Sequence, residues 1–236
     1  MKKKNKAIYL LFLMPFVYFA TACFVVWLVK TSGIYPSGSD TMYHVYRGDY
    51  VYNAIKLGNW YPLYDPAWYN GVEILRYWSP FPAYVMAFCQ YLAGGSQFGA
   101  YLFYIGGVCF LGACVWPFIG RGFNRPYLGA FIGLLWFFMP NNLCAIFIEG
   151  NLARSLSMIF LPVFIYSVYK YLYNHKLRYI PLMVFTFLLM ELCHLGYAGM
   201  VAIAVIIYGI VYIIQKGRKK AVLDVVISMI FGFMLL

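Results

Sequence analysis

The amino end reads Lys2-Lys3-Lys4-Asn5-Lys6-Ala7-Ile8-Tyr9-Leu10-Leu11-Phe12-Leu13-Met14-Pro15-Phe16-Val17-Tyr18-Phe19-Ala20-Thr21-Ala22-Cys23-Phe24-Val25-Val26-Trp27-Leu28-Val29, four lysines ahead of an unbroken apolar run. At 1.5 Å per residue, Ala7 to Val29 reaches across about 30 Å of hydrocarbon. The layout is also that of a secretory signal, and Ala20-Thr21-Ala22-Cys23 has the form of a lipoprotein cleavage box. The apolar run nevertheless continues past that box to Val29. The stretch therefore reads as an uncleaved anchor with its amino end in the cytoplasm.

Working outward, the whole chain has the same character. Of 236 residues, 64% are hydrophobic and 11% are charged, where soluble domains carry about 25% charged residues. A water-soluble domain needs far more polar surface over its core. Soluble enzymes, nucleic-acid binders and disordered tails are excluded, despite a formal net charge of +11. The expected fold class is all-α, a polytopic transmembrane helical protein with residues 1–236 as one membrane domain. Cys23, Cys89, Cys109, Cys114, Cys144 and Cys193 lie inside apolar runs and form no CxxC pair, so they read as packing residues.

Residues 30–79 are polar, aromatic and proline-bearing, and Pro80 to Ala93 is apolar but short for a span. If 80–93 does not cross, an outer loop with juxtamembrane helices covers 30–97. Spans then follow at 98–119, 127–147, 156–173, 179–194 and 197–214, with 221–236 incomplete. This places Lys2, Lys3, Lys4, Lys6, Arg121, Arg125, Lys170, Lys176, Arg178, Lys216, Arg218, Lys219 and Lys220 inside, 13 of 18 positive residues. A crossing at 80–93 would flip the later loops and leave 5 inside. The positive-inside rule selects the first arrangement, in the plasma membrane with the amino end cytoplasmic. His194-Leu195-Gly196-Tyr197-Ala198-Gly199 becomes a tight outer turn between two abbreviated spans, and with Leu236 inside an apolar run the chain is expected to be the amino-terminal part of a longer protein.

On this topology Asp40, Asp49, Asp65, Glu73, Glu149 and Glu191 lie towards the outer face, with His44 and His194, and only Asp224 lies towards the inside. The densest polar stretch runs Ser37-Gly38-Ser39-Asp40-Thr41-Met42-Tyr43-His44-Val45-Tyr46-Arg47-Gly48-Asp49-Tyr50. A turn at Gly38-Ser39 and a helix to about Leu57, ended by Gly58, put Asp40, His44 and Arg47 on one stripe. A carboxylate, an imidazole and a guanidinium on one face can take a proton, orient a polar group and hold a phosphate. The same pattern also fits a helix N-cap at Asp40 with a solvated face. Asp40 and His44 could also hold a divalent cation, although two ligands at helical spacing define no metal. Trp60, Tyr61, Trp68, Tyr77 and Trp78 have two readings, an interfacial aromatic belt or a sugar-stacking platform with Asp65 or Glu73 accepting hydroxyls.

Gly38-x-Asp40-x-x-x-His44-x-x-Arg47, Gly58-x-x-Tyr61-Pro62, Asn70-Gly71 and Pro80-x-Pro82 together resemble the first outer loop of the GT-C membrane glycosyltransferases. The branch resembled is the bacterial membrane family labelled 6-pyruvoyl-tetrahydropterin synthase-related, near the YfhO-like proteins; nothing in the chain supports pterin chemistry. Glu149-Gly150-Asn151-Leu152-Ala153-Arg154 is similar to that family's second outer loop, and Leu192-Cys193-His194 to its His-bearing hairpin. Val72-Glu73-Ile74-Leu75-Arg76 departs from the Gly- and Pro-rich residues expected after Asn70-Gly71, and the resemblance implies a further carboxyl half in a typical member.

The resemblance implies transfer of a sugar from a polyprenyl-phosphate donor to a glycan, lipid or protein acceptor on the extracytoplasmic face, with inversion. Asp40 would be the general base. Arg47, Arg76 or Arg154 would offset charge on the leaving phosphate, and His44 and His194 would contact phosphate or sugar. Asp49 and Glu149 join them as candidate substrate contacts. The span tips and the 80–93 segment would form a groove for the lipid tail. Two other readings stay open: a lipid or polysaccharide transporter, and a non-catalytic scaffold of cell-envelope assembly.

Overall fold

The structure is a computed structural model that describes residues 2–36 and 38–235, with side chains described for Tyr9 and from Leu11 onward. Ser37 and the side chains of Lys2, Lys3, Lys4 and Lys6, which the sequence argument used, lie outside the described residues. The described residues form helices in the order α1 (Lys2–Ser32), α2 (Thr41–Lys56), α3 (Phe81–Leu92), α4 (Gln97–Gly122), α5 (Pro126–Leu135), α6 (Pro140–Leu143), α7 (Leu152–Asn174), α8 (Tyr179–Cys193), α9 (Leu195–Lys216) and α10 (Lys219–Met234). Among the described residues, five stretches are long and apolar enough to cross a membrane: Leu11–Ser32, Gln97–Gly122, Pro126–Ile148, Leu152–Asn174 and Leu195–Lys216. The chain is thus a polytopic helical membrane protein. It divides into two compact units, Met1–Leu156 and Ser157–Leu236, with the division falling inside α7.

In the first unit α4 packs against α1, α3 and α5. Small residues let the backbones approach, the usual device where lipid removes the hydrophobic drive. A Cβ built on Gly120 of α4 would stand 2.6 Å from Gly129 Cα of α5, so neither position tolerates a side chain without separating the helices. Tyr18 of α1 donates its hydroxyl to the Ala130 carbonyl at 2.8 Å, a buried bond that ties the first helix to α5.

The stretch expected as a simple span at 127–147 is broken. After α5 come a 3₁₀ turn at Trp136–Phe138, the short α6 and a π-helical turn at Cys144–Ile148. Pro140 has no N–H to give, and backbone at membrane depth must still be satisfied. Buried Asn142 supplies part of the answer by donating Nδ2–H to the Trp136 carbonyl at 2.8 Å.

Residues 38–80 pack with α3 as a folded module that contains α2. Val51, Ile74, Leu75, Ala83 and Ala87 make its core. At twelve residues, α3 spans about 18 Å, well under the hydrocarbon thickness. In the second unit Phe164, Met183, Phe187, Met190, Ala198 and Met229 form one apolar core. α8 and α9 meet at a single residue, His194, whose Nδ1 accepts the Tyr197 N–H at 3.0 Å and caps α9.

Candidate functional site

Two turns distant in sequence meet at the start of α2. The Glu149 carbonyl accepts both the Asp40 N–H and the Ser39 hydroxyl, each at 3.0 Å. Backbone lies on backbone there, since a Cβ on Gly38 would fall 2.5 Å from Gly150 Cα. Gly150 itself is left-handed at φ +66°, and a Cβ on it would stand 2.2 Å from Thr41 Oγ1. Only glycine meets both demands at that position. Thr41 is fully buried and its Oγ1 has no hydrogen-bond partner.

The chain then enters α7, where Asn151 Oδ1 accepts the Arg154 N–H at 2.9 Å, satisfying one of the helix's orphan donors. The Leu152 carbonyl accepts the Tyr104 hydroxyl of α4 at 2.9 Å in a buried bond. Arg154 pairs with Glu149 at 2.5 Å, and the two side chains are 18% and 37% exposed. A second arm of the guanidinium reaches Asn141 Oδ1 at 3.4 Å, while its Nε is buried without a partner. Cys144 Sγ donates to the other Glu149 oxygen at 3.4 Å. Asp40 occupies the N-cap position of α2, yet its carboxylate makes no capping bond. The junction thus gathers Asp40, Glu149 and Arg154 at the ends of three different segments.

The rest of the α2 stripe does other work. Arg47 is 1% exposed, and its guanidinium donates to the Trp78 and Ser79 carbonyls at 3.2 and 3.3 Å. It lies 5.4 Å from the Tyr43 ring centre and 5.9 Å from that of Trp78. Burial lowers its pKa, the response of a charge taken out of water. The same burial pushes Tyr43 up to about 12, with Arg47 opposing and Asp40 adding to the rise. His44 is buried beside Tyr43, with ring centres 5.6 Å apart.

Asp49 accepts from Gln90 Nε2 of α3 at 2.6 Å. Asp65, 2% exposed, accepts from the Tyr46 hydroxyl at 2.5 Å and from the Ala67 N–H at 2.9 Å. Both carboxylates fasten the module to its helices. Glu73 and Arg76 pair with each other at 2.6 Å on the exposed surface. Trp68 packs on Tyr43 and Tyr46 with ring centres 5.2 and 4.5 Å away, and with Tyr46, Ala67 and Tyr69 it borders an open hollow of about 300 Å³. Trp78 joins the Tyr43 side of that cluster and, like Trp60, Tyr61 and Tyr77, is exposed. His194 belongs to the second unit.

An apolar crevice of about 250 Å³ opens in the first unit between α1, α4 and the broken 136–147 stretch. Phe24, Leu28, Trp136, Phe138, Leu143 and Phe147 line it, and Phe147 is two residues before Glu149. Among the described residues, no three His, Cys, Asp or Glu side chains converge as metal ligands. Sequence reasoning missed Ser39, Thr41, Asn141, Cys144 and Asn151 as parts of the junction. Their one signal was a glycine near each acid, Gly38 two residues before Asp40 and Gly150 directly after Glu149.

A bundle of apolar helices with a polar junction at their ends defines a membrane protein with a candidate site formed by two loops. Residues 75–236 match the family model of the 6-pyruvoyl-tetrahydropterin synthase related domain, a membrane protein, and the chain belongs to that family. Glu149, Arg154 and His194 lie within the matched stretch, and Asp40 precedes it. No curated protein and no solved structure matches the chain.

Proposed function

We propose that this chain is a membrane glycosyltransferase that moves a sugar from a polyprenyl-phosphate carrier to an acceptor hydroxyl on the extracytoplasmic face. The observation that carries this reading is the Gly38–Gly150 junction, where the Asp40 N–H is held by the carbonyl of Glu149, the residue whose carboxylate pairs with Arg154. In the proposed step the acceptor oxygen attacks the anomeric carbon from the face opposite the phosphate. The bond from that carbon to the phosphate oxygen breaks with inversion, the acceptor proton passes to the Asp40 carboxylate, and polyprenyl phosphate leaves. A base must lie within hydrogen-bond reach of its proton, and an Asp40 that is not spent on capping α2 is available for this. Arg154, oriented by Glu149 and Asn141, would offset the charge developing on the leaving phosphate. The apolar crevice ending at Phe147 suits an isoprenoid tail, and the hollow at Trp68 suits a pyranose face.

Asp40→Asn in the full-length protein is expected to abolish transfer from a polyprenyl-phosphate sugar while leaving membrane insertion intact. Near-normal turnover of that variant would remove Asp40 as the base. A second reading, a lipid or polysaccharide transporter, is favoured by Glu191, which is 4% exposed within the apolar helix α8. Ionisable residues in such a setting commonly mark transport pathways. Substrate flux in liposomes that survives Asp40→Asn and is lost in Glu191→Gln would favour it.

A further inference from the structure

The second unit concentrates positive charge at one end. Lys170 is near the end of α7, Lys176 and Arg178 are in the turn to α8, Lys216 ends α9, Arg218 is in the next turn, and Lys219 and Lys220 begin α10. The two turns lie together. Arg218 hydrogen-bonds to His175 Nε2, Tyr212 donates to the Leu172 carbonyl at 2.6 Å, and the Tyr173 and Tyr208 hydroxyls meet at 3.3 Å. The unit's only carboxylates by sequence are Glu191 and Asp224. Asp224 is engaged by the Tyr171 hydroxyl at 2.6 Å. Glu191 is buried near the far end of α8, about 20 Å along the helix from Arg178.

Gathering seven cations around one acid is electrostatically unfavourable for the protein alone. Lys219 and Lys220 add to the cost, since the start of a helix disfavours cations and α10 has no acid in its first turn. Tyrosines interleave the charges as at a membrane interface. Arg178 lies 5.1 Å from the Tyr179 ring centre and Lys170 5.6 Å from that of Tyr166. Tyr169 and Tyr173 stack at 4.5 Å and are exposed. Beside them α9 presents Ile203, Ile207, Ile210 and Ile214 outward, a face suited to acyl chains.

We propose that this basic collar binds anionic phospholipid headgroups of the leaflet it faces. Headgroup phosphates would sit among Lys176, Arg178, Arg218 and Lys219, with acyl chains along α9. A leaflet of anionic lipid supplies the missing negative charge and lies at the depth the tyrosines mark. The inference stands independently of the glycosyltransferase reading.

The test uses the protein in detergent micelles doped with phosphatidylglycerol, cardiolipin or phosphatidylcholine, with the lipid retained on the protein counted by native mass spectrometry as the readout. Wild-type protein is expected to prefer the anionic lipids at least tenfold, with the preference falling as salt rises. A variant carrying Lys176→Gln, Arg178→Gln, Arg218→Gln and Lys219→Gln should lose most of it. The exchange K176R/R178K/R218K/K219R should keep it and serves as the folded comparison. Equal affinity of wild-type protein for phosphatidylcholine would overturn the proposal. So would competition by inorganic phosphate or by polyglutamate at concentrations matching the lipid, which would identify a free anion or an acidic protein as the occupant.

Discussion

The two sides of α2 hold carboxylates in opposite ways. On the side facing residues 57–95, Asp65 and Asp49 are met by neutral donors, the Tyr46 hydroxyl, the Ala67 N–H and the Gln90 amide. On the side facing the Glu149 turn, the backbone of Asp40 is bound and its carboxylate is not used as a cap. The first arrangement spends the carboxylates on structure, because a buried acceptor must be satisfied. The second spends main-chain bonds and glycines on structure and leaves the Asp40 carboxylate out of the helix cap. A count of acids on one face, which drew attention to this loop, does not separate the two uses; the partner of each oxygen does.

Substitutions can break that contrast, and the largest expected effect is on the Asp40 side. Asp40→Asn should lower transfer by about a hundredfold or more, in line with loss of a positioned base, while the thermal midpoint in detergent stays put. A matching fall in the midpoint would move Asp40 into the structural class. Gly150→Ala comes next. Its left-handed backbone and the contact with Thr41 should cost about 2–3 kcal/mol, read as a lowered midpoint, with activity falling as the junction opens. Asp65→Ala should cost about 1–3 kcal/mol by orphaning the Tyr46 hydroxyl and the Ala67 N–H, read as a lowered midpoint. Tyr46, pushed up to about 12 by burial first and by its bond to Asp65 second, should titrate nearer its ordinary value in that variant by ultraviolet difference spectroscopy. The smallest effect is at Arg76→Gln, where an exposed pair with Glu73 should leave the midpoint where it was.

Much of the fold was written in hydropathy. The run from Ala7 to Val29 lies within α1, and the short apolar Pro80–Ala93 segment contains the twelve-residue α3 packed between α2 and α4. The break after α5 was not legible. Hydropathy averages over Trp136 to Ile148, and it takes a backbone to show that Asn142 is needed to satisfy Trp136. The site was legible as two separate motifs, one around Asp40 and one around Glu149. Their contact was not, because Ser39 and Glu149 are 110 positions apart and periodicity carries no information across such a gap. Arg47 read as a phosphate ligand on the helical stripe, and the structure places its guanidinium against the Trp78 and Ser79 carbonyls. Which way a stripe faces depends on what the following loop folds over it.

The meeting of Gly38 with Gly150 also sets an order of assembly. Asp40 leaves the ribosome long before the turn that fixes it, with α4 and α5 still to be made and inserted. At about 5–20 residues per second, the 110 positions from Ser39 to Glu149 take about 5–20 s to synthesise. For that interval the start of α2 has no Glu149 carbonyl to receive its N–H. The candidate site is therefore closed only once the broken stretch after α5 is in place, and a pause or insertion error there would leave a chain that is anchored in the membrane with the start of α2 unjoined.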